Sequence, residues 1–528
     1  MVEGFLSFID TLIYVPEKNI GMVHLGLPAS WVAFVFTSIL VLGLRYAFVT
    51  TSNNNKSKPF KFPIYNNVIR LVVTRPWLLV GLRLFAVIIF LTVIYAGLFG
   101  TPIPEKNIAT VLTWTIWWSG VIISIFFVGS AWCAICPWDA IATWLVRQKI
   151  WMRGSETSSL NLRVPKVLRS VWPALLMFVG LTWLELGVGV TVSPYATALM
   201  ALFMVVAATI SLAVYERKAF CRYFCAIGRT IGAYSSIAPI ALAPVNEKTC
   251  ADCTTLECYH GTEEIEPCPT NLVMGRLTQN TYCTSCGACS MSCPHENVSW
   301  RIRGVGNEIT NTSRSTALRG RVDEGWFILG LVALTIFHGI TMMPYWEGAI
   351  KKLAYNIGDS GQLLMSFTIG MVVSMIVPII LFIVTIKLTH RLMKAKEEYK
   401  RIFSAFALSI LPLAFTYHIA HNLTHMVRES AGFWGVVFNP LGKNALPLSK
   451  FAQDMCDPIP LIANDIVFAL QGILVVFGFW LALRIAKQRF QQITGKSNGI
   501  EFIPLLVFIS IISLSCLWLL MQPMIMRM

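Results

Sequence analysis

Four closely spaced cysteines near the middle of the chain have the types and spacing for redox chemistry. The run reads Cys-Thr-Ser-Cys-Gly-Ala-Cys-Ser-Met-Ser-Cys-Pro, and its cysteines are Cys283, Cys286, Cys289 and Cys293. The spacing C-x2-C-x2-C-x3-C-P is one by which proteins hold a [4Fe–4S] cluster, because three thiolates wrap one cluster while the fourth turns towards a second one. The motif therefore predicts one cluster and implies another.

A second group of cysteines just upstream supplies the remaining ligands. Its spacing, C-x2-C-x4-C-x9-C-P, is looser, and its members are Cys250, Cys253, Cys258 and Cys268. With the crossing found in two-cluster bacterial ferredoxins, we predict two ligand sets. They are Cys250, Cys253, Cys258 and Cys293 for one cluster, and Cys283, Cys286, Cys289 and Cys268 for the other. Disulfides would need an oxidising compartment, and zinc sites seldom use eight cysteines ending in two Cys-Pro steps.

Two further cysteine pairs follow hydrophobic segments in the first half of the chain. Cys133 and Cys136 lie in Trp-Cys-Ala-Ile-Cys-Pro, and Cys221 and Cys225 lie in Phe-Cys-Arg-Tyr-Phe-Cys. Each pair is predicted at the end of a membrane helix, close to the cluster segment. A third cluster, a bound metal, a redox-active dithiol and plain packing of small hydrophobic side chains are all open readings.

The second half of the chain carries a stripe of histidines in a hydrophobic segment. His418, His421 and His425 are spaced to share one face of a helix, and His338 falls at a comparable depth in another predicted helix. Two of these imidazoles would suit a b-type haem, and the i, i+3, i+7 stripe would suit copper, zinc or iron. Without a metal, the histidines would bind neighbouring helices or water, or position a quinol head group.

The elements that position these residues belong to a membrane protein. The 528 residues are 55% hydrophobic and 13% charged, and the mean hydropathy is +0.65. Since a hydrocarbon core of about 30 Å needs about 20 apolar residues per helix, we predict a mainly α-helical, polytopic fold with about ten spans. The predicted spans are residues 30–48, 77–99, 109–130, 171–190, 195–215, 326–345, 363–386, 402–424, 463–483 and 502–523.

The basic residues are distributed so that they predict the orientation of these spans. Of the 42 lysines and arginines, 33 lie in alternate loops, which marks those loops as cytoplasmic. The cysteine-rich segment is then cytoplasmic, and both termini are periplasmic or exoplasmic. We therefore predict a multi-pass protein of the cell inner membrane. The net charge of +15 reflects this topology, so no nucleic acid partner is expected.

The chain divides into five predicted regions. They are an N-terminal exoplasmic segment with the first span (1–69), a four-helix membrane core with both cysteine pairs (70–244), a small cytoplasmic ferredoxin-like domain (245–305), a linker (306–325) and a five-helix membrane domain with the histidine stripe (326–528). No P-loop or dinucleotide-binding fingerprint is present, which argues against ATP-driven transport and direct NAD(P)H oxidation.

Residues 70–305 resemble the NapH, NosR and CcoG group of membrane polyferredoxins, in which helix pairs ending in Cys-x3-Cys-Pro precede a cytoplasmic two-cluster domain. The first pair here is one residue shorter, and the second has Ala226 where proline is usual. The resemblance implies two [4Fe–4S] clusters and a role in anaerobic or microaerobic respiration.

These observations predict an integral membrane electron-transfer protein. It would exchange electrons with a soluble cytoplasmic donor or the quinone pool and pass them to a periplasmic or membrane acceptor. One alternative is a metal-handling factor that reduces copper or another ion for assembly of a partner oxidoreductase, as the resemblance to CcoG implies. Another is a redox-sensing membrane anchor subunit whose partner performs the chemistry.

Overall fold

Long apolar helices dominate the structure. A computed structural model describes residues 23–48, 75–148, 159–277, 279–310, 321–394, 398–447, 462–496 and 498–525. Over these residues the chain is mainly helical, and nine helices are long and apolar enough to cross a membrane. The chain is accordingly a multi-pass membrane protein embedded in a lipid bilayer.

The described part of the chain contains thirteen helices of ten or more residues. They are α1 (Ala29–Phe48), α2 (Pro76–Phe99), α3 (Trp118–Val128), α4 (Pro137–Arg147), α5 (Trp172–Trp183), α6 (Pro194–Val214), α7 (Ala226–Ser235), α8 (Val322–Thr341), α9 (Pro344–Ile357), α10 (Leu364–Met393), α11 (Tyr399–Glu429), α12 (Asn464–Thr494) and α13 (Ile503–Met521).

Shorter helical pieces join or extend these helices. Three π-helical turns are Val111–Trp117, Leu184–Val188 and Phe220–Phe224. Short α-helices are Ile108–Thr110, Trp132–Ile135, Glu247–Asp252, Glu257–His260, Ala288–Met291, Asn307–Thr310 and Phe433–Phe438. Short 3-10 helices are Pro104–Lys106, Lys166–Leu168, Val190–Val192, Met274–Arg276, Ser430–Gly432 and Ile500–Phe502.

Two small antiparallel sheets complete the described secondary structure. β1 (Val23–His24) pairs with β4 (Met524–Ile525), and β2 (Ile240–Pro244) pairs with β3 (Val298–Ile302). The eight cysteines of the two ferredoxin-type motifs all lie between β2 and β3. This short sheet therefore closes the base of the cysteine-rich segment, which begins and ends close to the predicted limits 245–305.

Nine of the ten predicted spans are long apolar helices, as expected. The fourth, predicted over residues 171–190, is instead the shorter apolar helix Trp172–Val188. It ends because Gly189 takes a left-handed conformation with φ of +80° and caps the π-helical turn. At about 1.5 Å per residue this helix is about 25 Å long, which is less than the thickness of a typical hydrocarbon core.

Helix α11 lies at the centre of the molecule. Nearly all of its membrane segment is buried, and it packs mainly against α8 and α12. Helices α2 and α10, in contrast, expose large apolar side chains such as Phe85 and Val373. Such side chains suit contact with lipid, so α11 and its histidines are shielded from the bilayer by the surrounding helices.

Candidate functional site

One predicted ligand set lies around a single pocket. Cys250, Cys253, Cys258 and Cys293 all line a pocket with about 360 Å³ of empty volume that opens towards solvent. Cys293 comes from the second motif, so the pocket joins the two motifs in the crossed arrangement. Gly275 forms part of the wall, and a Cβ atom there would lie only 2.9 Å from the Cβ of Cys250.

The other predicted set is also brought together, in a more buried place. The thiols of Cys268, Cys283, Cys286 and Cys289 lie within range of one another's charge. The loop bends tightly through Ser285 and Gly287, whose φ angles are +50° and +76°. Glycine reaches this left-handed region at little cost, so Gly287 helps the loop to wind its thiols to one side.

Backbone and side-chain N–H groups point at several of these sulfur atoms. The backbone N–H of Leu272 donates to Cys268 Sγ at 3.3 Å, and that of Ser285 donates to Cys283 Sγ at 3.4 Å. Asn297 donates from its backbone N to Cys293 Sγ and from Nδ2 to Cys250 Sγ, both at 3.3 Å. Hydrogen bonds of this kind stabilise negative charge on sulfur and set the potential of an iron–sulfur cluster.

Burial raises the pKa of thiols in both sets, including those of Cys250 and Cys258. Burial raises the pKa of Cys283 to about 12 and also raises the pKa of Cys286 and Cys289. The backbone N–H of Leu256 instead lowers the pKa of Cys253, which lies near solvent. A metal ligand must be a thiolate, so the buried thiols would need metal to displace their protons at neutral pH.

Arg217, which follows α6, and Ser130, which follows α3, hold the cysteine-rich segment against the membrane helices. Arg217 donates to the carbonyl oxygens of Cys268 and Tyr259 at 2.8 and 3.1 Å, and its guanidinium lies 4.4 Å from the centre of the Tyr259 ring. Ser130, which follows α3, is hydrogen-bonded to Ser285 across 2.8 Å. The buried ligand set is therefore tied directly to the ends of α3 and α6.

The two cysteine pairs of the membrane core also come together. Cys136 and Cys225 belong to one buried cluster, and Cys221 donates to Asp139 Oδ1 at 3.6 Å. Cys133 lies within range of the charge of Cys225 on one side and of Cys283 on the other. The sequence predicted two separate pairs, whereas the structure forms one group of four cysteines beside the buried ligand set.

The described cysteines form no disulfide, and Cys456 lies outside the described residues. No three His, Cys, Asp or Glu side chains in the described ranges surround a point closely enough to hold a single metal ion. A [4Fe–4S] cluster makes a different demand, because each thiolate binds a different iron and the sulfurs stand further apart. The two ferredoxin-type sets fit that demand in residue type and hydrogen bonding.

The predicted histidine stripe is buried at the contact of α8 and α11. The ring centroid of His421 lies 5.0 Å from that of His338 and 5.0 Å from that of His425. His418 contacts other groups, with its Nδ1 3.2 Å from Tyr234 Oη and its ring 5.6 Å from that of Trp118. The structure therefore brings three of the four predicted histidines into a row, with His418 directed to α3 and α7.

Tryptophans extend from the four-cysteine group to His418, which lies outside this row. The rings of Trp132 and Trp117 are 5.6 Å apart, those of Trp117 and Trp118 are 6.1 Å apart, and Trp118 contacts His418. The chain reverses at Gly129, whose φ is +59°, so that Trp132 folds back towards Trp117. The sequence alone favours an interfacial aromatic belt as the explanation of most of the tryptophans.

Reasoning from sequence missed three further polar residues at these sites. Asn297 contacts two cluster-motif sulfurs, Tyr234 contacts His418, and Arg229 lies buried beside Tyr282 with its guanidinium carbon 4.3 Å from the ring centre. Only Arg229 left a signal in the sequence, because it is a charged residue four positions after Cys225.

Comparisons with known proteins provide no relative for this chain. No family model, no curated protein and no solved structure matches it. Its site is therefore interpreted from the geometry and chemistry of its own residues.

Proposed function

We propose that this chain is an integral membrane electron-transfer protein that holds two [4Fe–4S] clusters in its cysteine-rich segment. The grouping of eight cysteines into two crossed sets of four is the observation that carries the proposal. Cys250, Cys253, Cys258 and Cys293 would hold one cluster, and Cys268, Cys283, Cys286 and Cys289 the other. Each cluster, when bound, supplies a centre that accepts and releases one electron.

The protein's own residues supply the setting for such centres. Asn297, Leu272 and Ser285 donate N–H groups to ligand sulfurs, and the apolar side chains of Trp300 and Leu242 pack around the buried set. Hydrogen bonding and low polarity together tune a cluster potential without any substrate chemistry. This arrangement suits an electron carrier.

The two sets have different neighbours, which supports different roles in electron exchange. The pocket set, formed by Cys250, Cys253, Cys258 and Cys293, opens to solvent and is accessible to a soluble redox partner. The Cys283 set is tied to the ends of α3 and α6 and is suited to exchange with a membrane acceptor or the quinone pool. The charge distribution and the resemblance to membrane polyferredoxins support a cytoplasmic location for the segment in the inner membrane and a role in anaerobic respiration.

Single cysteine substitutions test the two clusters separately. In detergent-solubilised full-length protein, Cys286→Ser is expected to remove one [4Fe–4S] EPR signal, and Cys253→Ser to remove the other. Cys516→Ser is the control, because Cys516 is a cysteine of α13 that lies away from both sets. Wild-type protein without iron and sulfide, or retention of both signals in both variants, would refute the proposal.

The histidine row favours a second candidate, in which the protein handles or reduces a metal ion for a partner oxidoreductase. His421 and His425 are buried and His338 is half-buried, and imidazoles in contact are unusual in a membrane interior unless they have a function. Metal analysis combined with optical spectra separates this candidate from a b-type haem at the same histidines. A dithionite-reduced sample with stoichiometric copper and no b-haem bands would support metal handling, and b-haem bands lost in His421→Ala would support the haem.

A further inference from the structure

Four cysteines from two distant parts of the chain form one buried group in the membrane core. Cys136 and Cys225 pack in the same apolar cluster, and each lies at the start of a helix. Cys221 Sγ reaches Asp139, which lies three residues after Cys136. Cys133 lies within range of the charge of both Cys221 and Cys225. The two pairs are more than 80 residues apart in the chain, and the packing of α6 against α4 brings them together.

The two halves of this group have equivalent local structure. Cys136 precedes α4 and Cys225 precedes α7, with ψ angles of 123° and 110° that direct the backbone away from the helix. The backbone N–H of Gly228 donates to Cys225 Sγ at 3.2 Å. The N–H groups of the first turn would stabilise the negative charge of a thiolate ligand at each helix N-terminus.

A buried arginine beside the group has no partner for part of its guanidinium. Arg229 is only 3% exposed, and no described residue accepts a hydrogen bond from its Nε or Nη1. Its charge acts on Cys133 and Cys225. Although Glu324 and Tyr282 line a pocket with Arg229, buried N–H donors without an acceptor are costly, and a negatively charged group between the cysteines would stabilise them.

The remaining charges also leave an excess of positive charge around the four thiols. Lys218 forms an ion pair with Asp139 at 2.5 Å, so these two charges balance. Arg83, which is 7% exposed inside α2, donates to the carbonyl oxygen of Ala134 between Cys133 and Cys136. Arg83 and Arg229 therefore remain available to offset the negative charge of an iron–sulfur core with four thiolate ligands.

We propose that Cys133, Cys136, Cys221 and Cys225 together hold a third iron–sulfur cluster. Each thiol releases its proton as its sulfur bonds to iron, with iron and sulfide supplied by cellular cluster assembly. A multi-iron cluster fits better than a single ion, because no described group of His, Cys, Asp or Glu is close enough for one ion. Arg229 is a positioning residue that neutralises the cluster charge.

This site has the buried ferredoxin-type set as one neighbour and a line of aromatic rings leading to His418 as another. Cys133 is within range of the charge of Cys283, and Trp132 begins the line of rings that ends at His418. A centre here would connect the cysteine-rich segment to the membrane interior. The inference stands apart from the proposed function, because its ligands belong to neither ferredoxin-type set.

The ratio of iron in a variant to iron in the wild type tests the third cluster. We expect full-length Cys133→Ser/Cys221→Ser protein, purified anaerobically in detergent, to hold about two-thirds of the wild-type iron and sulfide if all three centres are [4Fe–4S], and about four-fifths if the third is [2Fe–2S]. Both ferredoxin-type EPR signals should remain. Cys516→Ser is the control and should keep the wild-type content. Equal iron in the double variant and the wild type would overturn the proposal.

Alkylation of the wild-type protein decides the matter if the double variant does not fold. Mass spectrometry should show Cys133, Cys136, Cys221 and Cys225 labelled much faster after iron is chelated than before. Labelling at the same rate before and after chelation would overturn the third cluster. Wild-type protein with only about eight irons would reject this cluster alone, whereas protein with no iron would reject the proposed function as well.

Discussion

At the scale of single residues, the two ferredoxin-type sets differ in how their sulfur atoms are stabilised. The pocket set receives a side-chain amide from Asn297 and lies near solvent, whereas the Cys283 set is buried and receives backbone N–H groups. Hydrogen bonds to sulfur favour the more negatively charged, reduced form of a cluster. The two centres should therefore differ in potential.

Asn297→Ala tests this difference. The variant removes the N–H donor to Cys250 Sγ, so the reduction potential of the pocket-set cluster should fall while that of the Cys283 set stays the same. EPR-monitored redox titration measures both potentials. The variant also loses hydrogen bonds between Asn297 and Asn246, which should cost about 1–3 kcal/mol of stability.

The matched control is Asn439→Ala, because Asn439 hydrogen-bonds within a loop that carries none of the cysteines. An equal shift of both cluster potentials in Asn297→Ala, or a shift in the control, would contradict the assignment of Asn297 to one set.

At the scale of elements, helix α7 sets the position of the cysteine-rich segment against the helices of the membrane core. A Cβ atom at Gly232 would lie 2.0 Å from the carbonyl oxygen of Thr281, two residues before Cys283. The backbone of the cluster loop thus contacts the helix directly. Tyr282 is held in the same place by Glu324 of α8, which accepts a hydrogen bond from its hydroxyl at 2.6 Å.

Gly232→Ala should displace this loop. Overpacking of this kind costs about 1–3 kcal/mol, and we expect a lower melting temperature together with loss of the EPR signal of the Cys283 set. Gly81→Ala in α2 is the control, since an added Cβ there meets no atom within 4 Å. Normal cluster content and normal stability in Gly232→Ala would show that the loop does not dock on α7 as described.

The attachment at α6 has its own prediction. Arg217→Ala removes two hydrogen bonds and the ring contact that hold Cys268 and Tyr259, so the segment around these residues should open more often. Hydrogen exchange followed by mass spectrometry should show faster exchange over residues 257–270. Lys352→Ala, an exposed charge change in α9, should leave this exchange unchanged. Equal exchange in Arg217→Ala and the wild type would show that Arg217 does not hold the segment.

At the scale of the whole molecule, the buried helix α11 joins the two halves of the chain. Its His418 contacts Trp118 and Tyr234 from the cysteine-bearing half, while its His421 contacts His338 of α8. The two halves of the chain therefore meet on this helix, which carries both His418 and two members of the histidine row. Close neighbours of this kind are required of any path that carries electrons through the protein.

The orientation of the chain in the membrane is a prediction from the distribution of basic residues. The loop after α10 begins at Lys394. It carries several basic residues and should be cytoplasmic. The loop after α9, at Gly358, should lie on the opposite side. Reporter enzymes fused after residues 394 and 358, one type active in the cytoplasm and one outside it, measure the sidedness. Both loops on one side, or the reverse pattern, would contradict the predicted topology.

Local sequence patterns predicted much of the architecture. Apolar runs located nine long helices because their hydrophobicity is contained in consecutive residues. The length of the fourth span, Trp172–Val188, was overestimated from the sequence. The left-handed turn at Gly189 ends this helix early, and hydrophobicity does not report backbone conformation. The shared face of the histidines on α11 followed from helical periodicity, whereas the turn of His418 towards Tyr234 depended on α7.

The sequence by itself predicted the two ferredoxin-type sets and determined that their cysteines lie close along the chain, since spacing and the Cys-Pro steps are local information. Only the tertiary structure decided that Cys133 and Cys136 meet Cys221 and Cys225, and that Arg229 lies beside them with two unpaired N–H groups. The physical reason is that these residues lie far apart in the chain. Their approach depends on the packing of helices and on the reversal at Gly129, which no local pattern records.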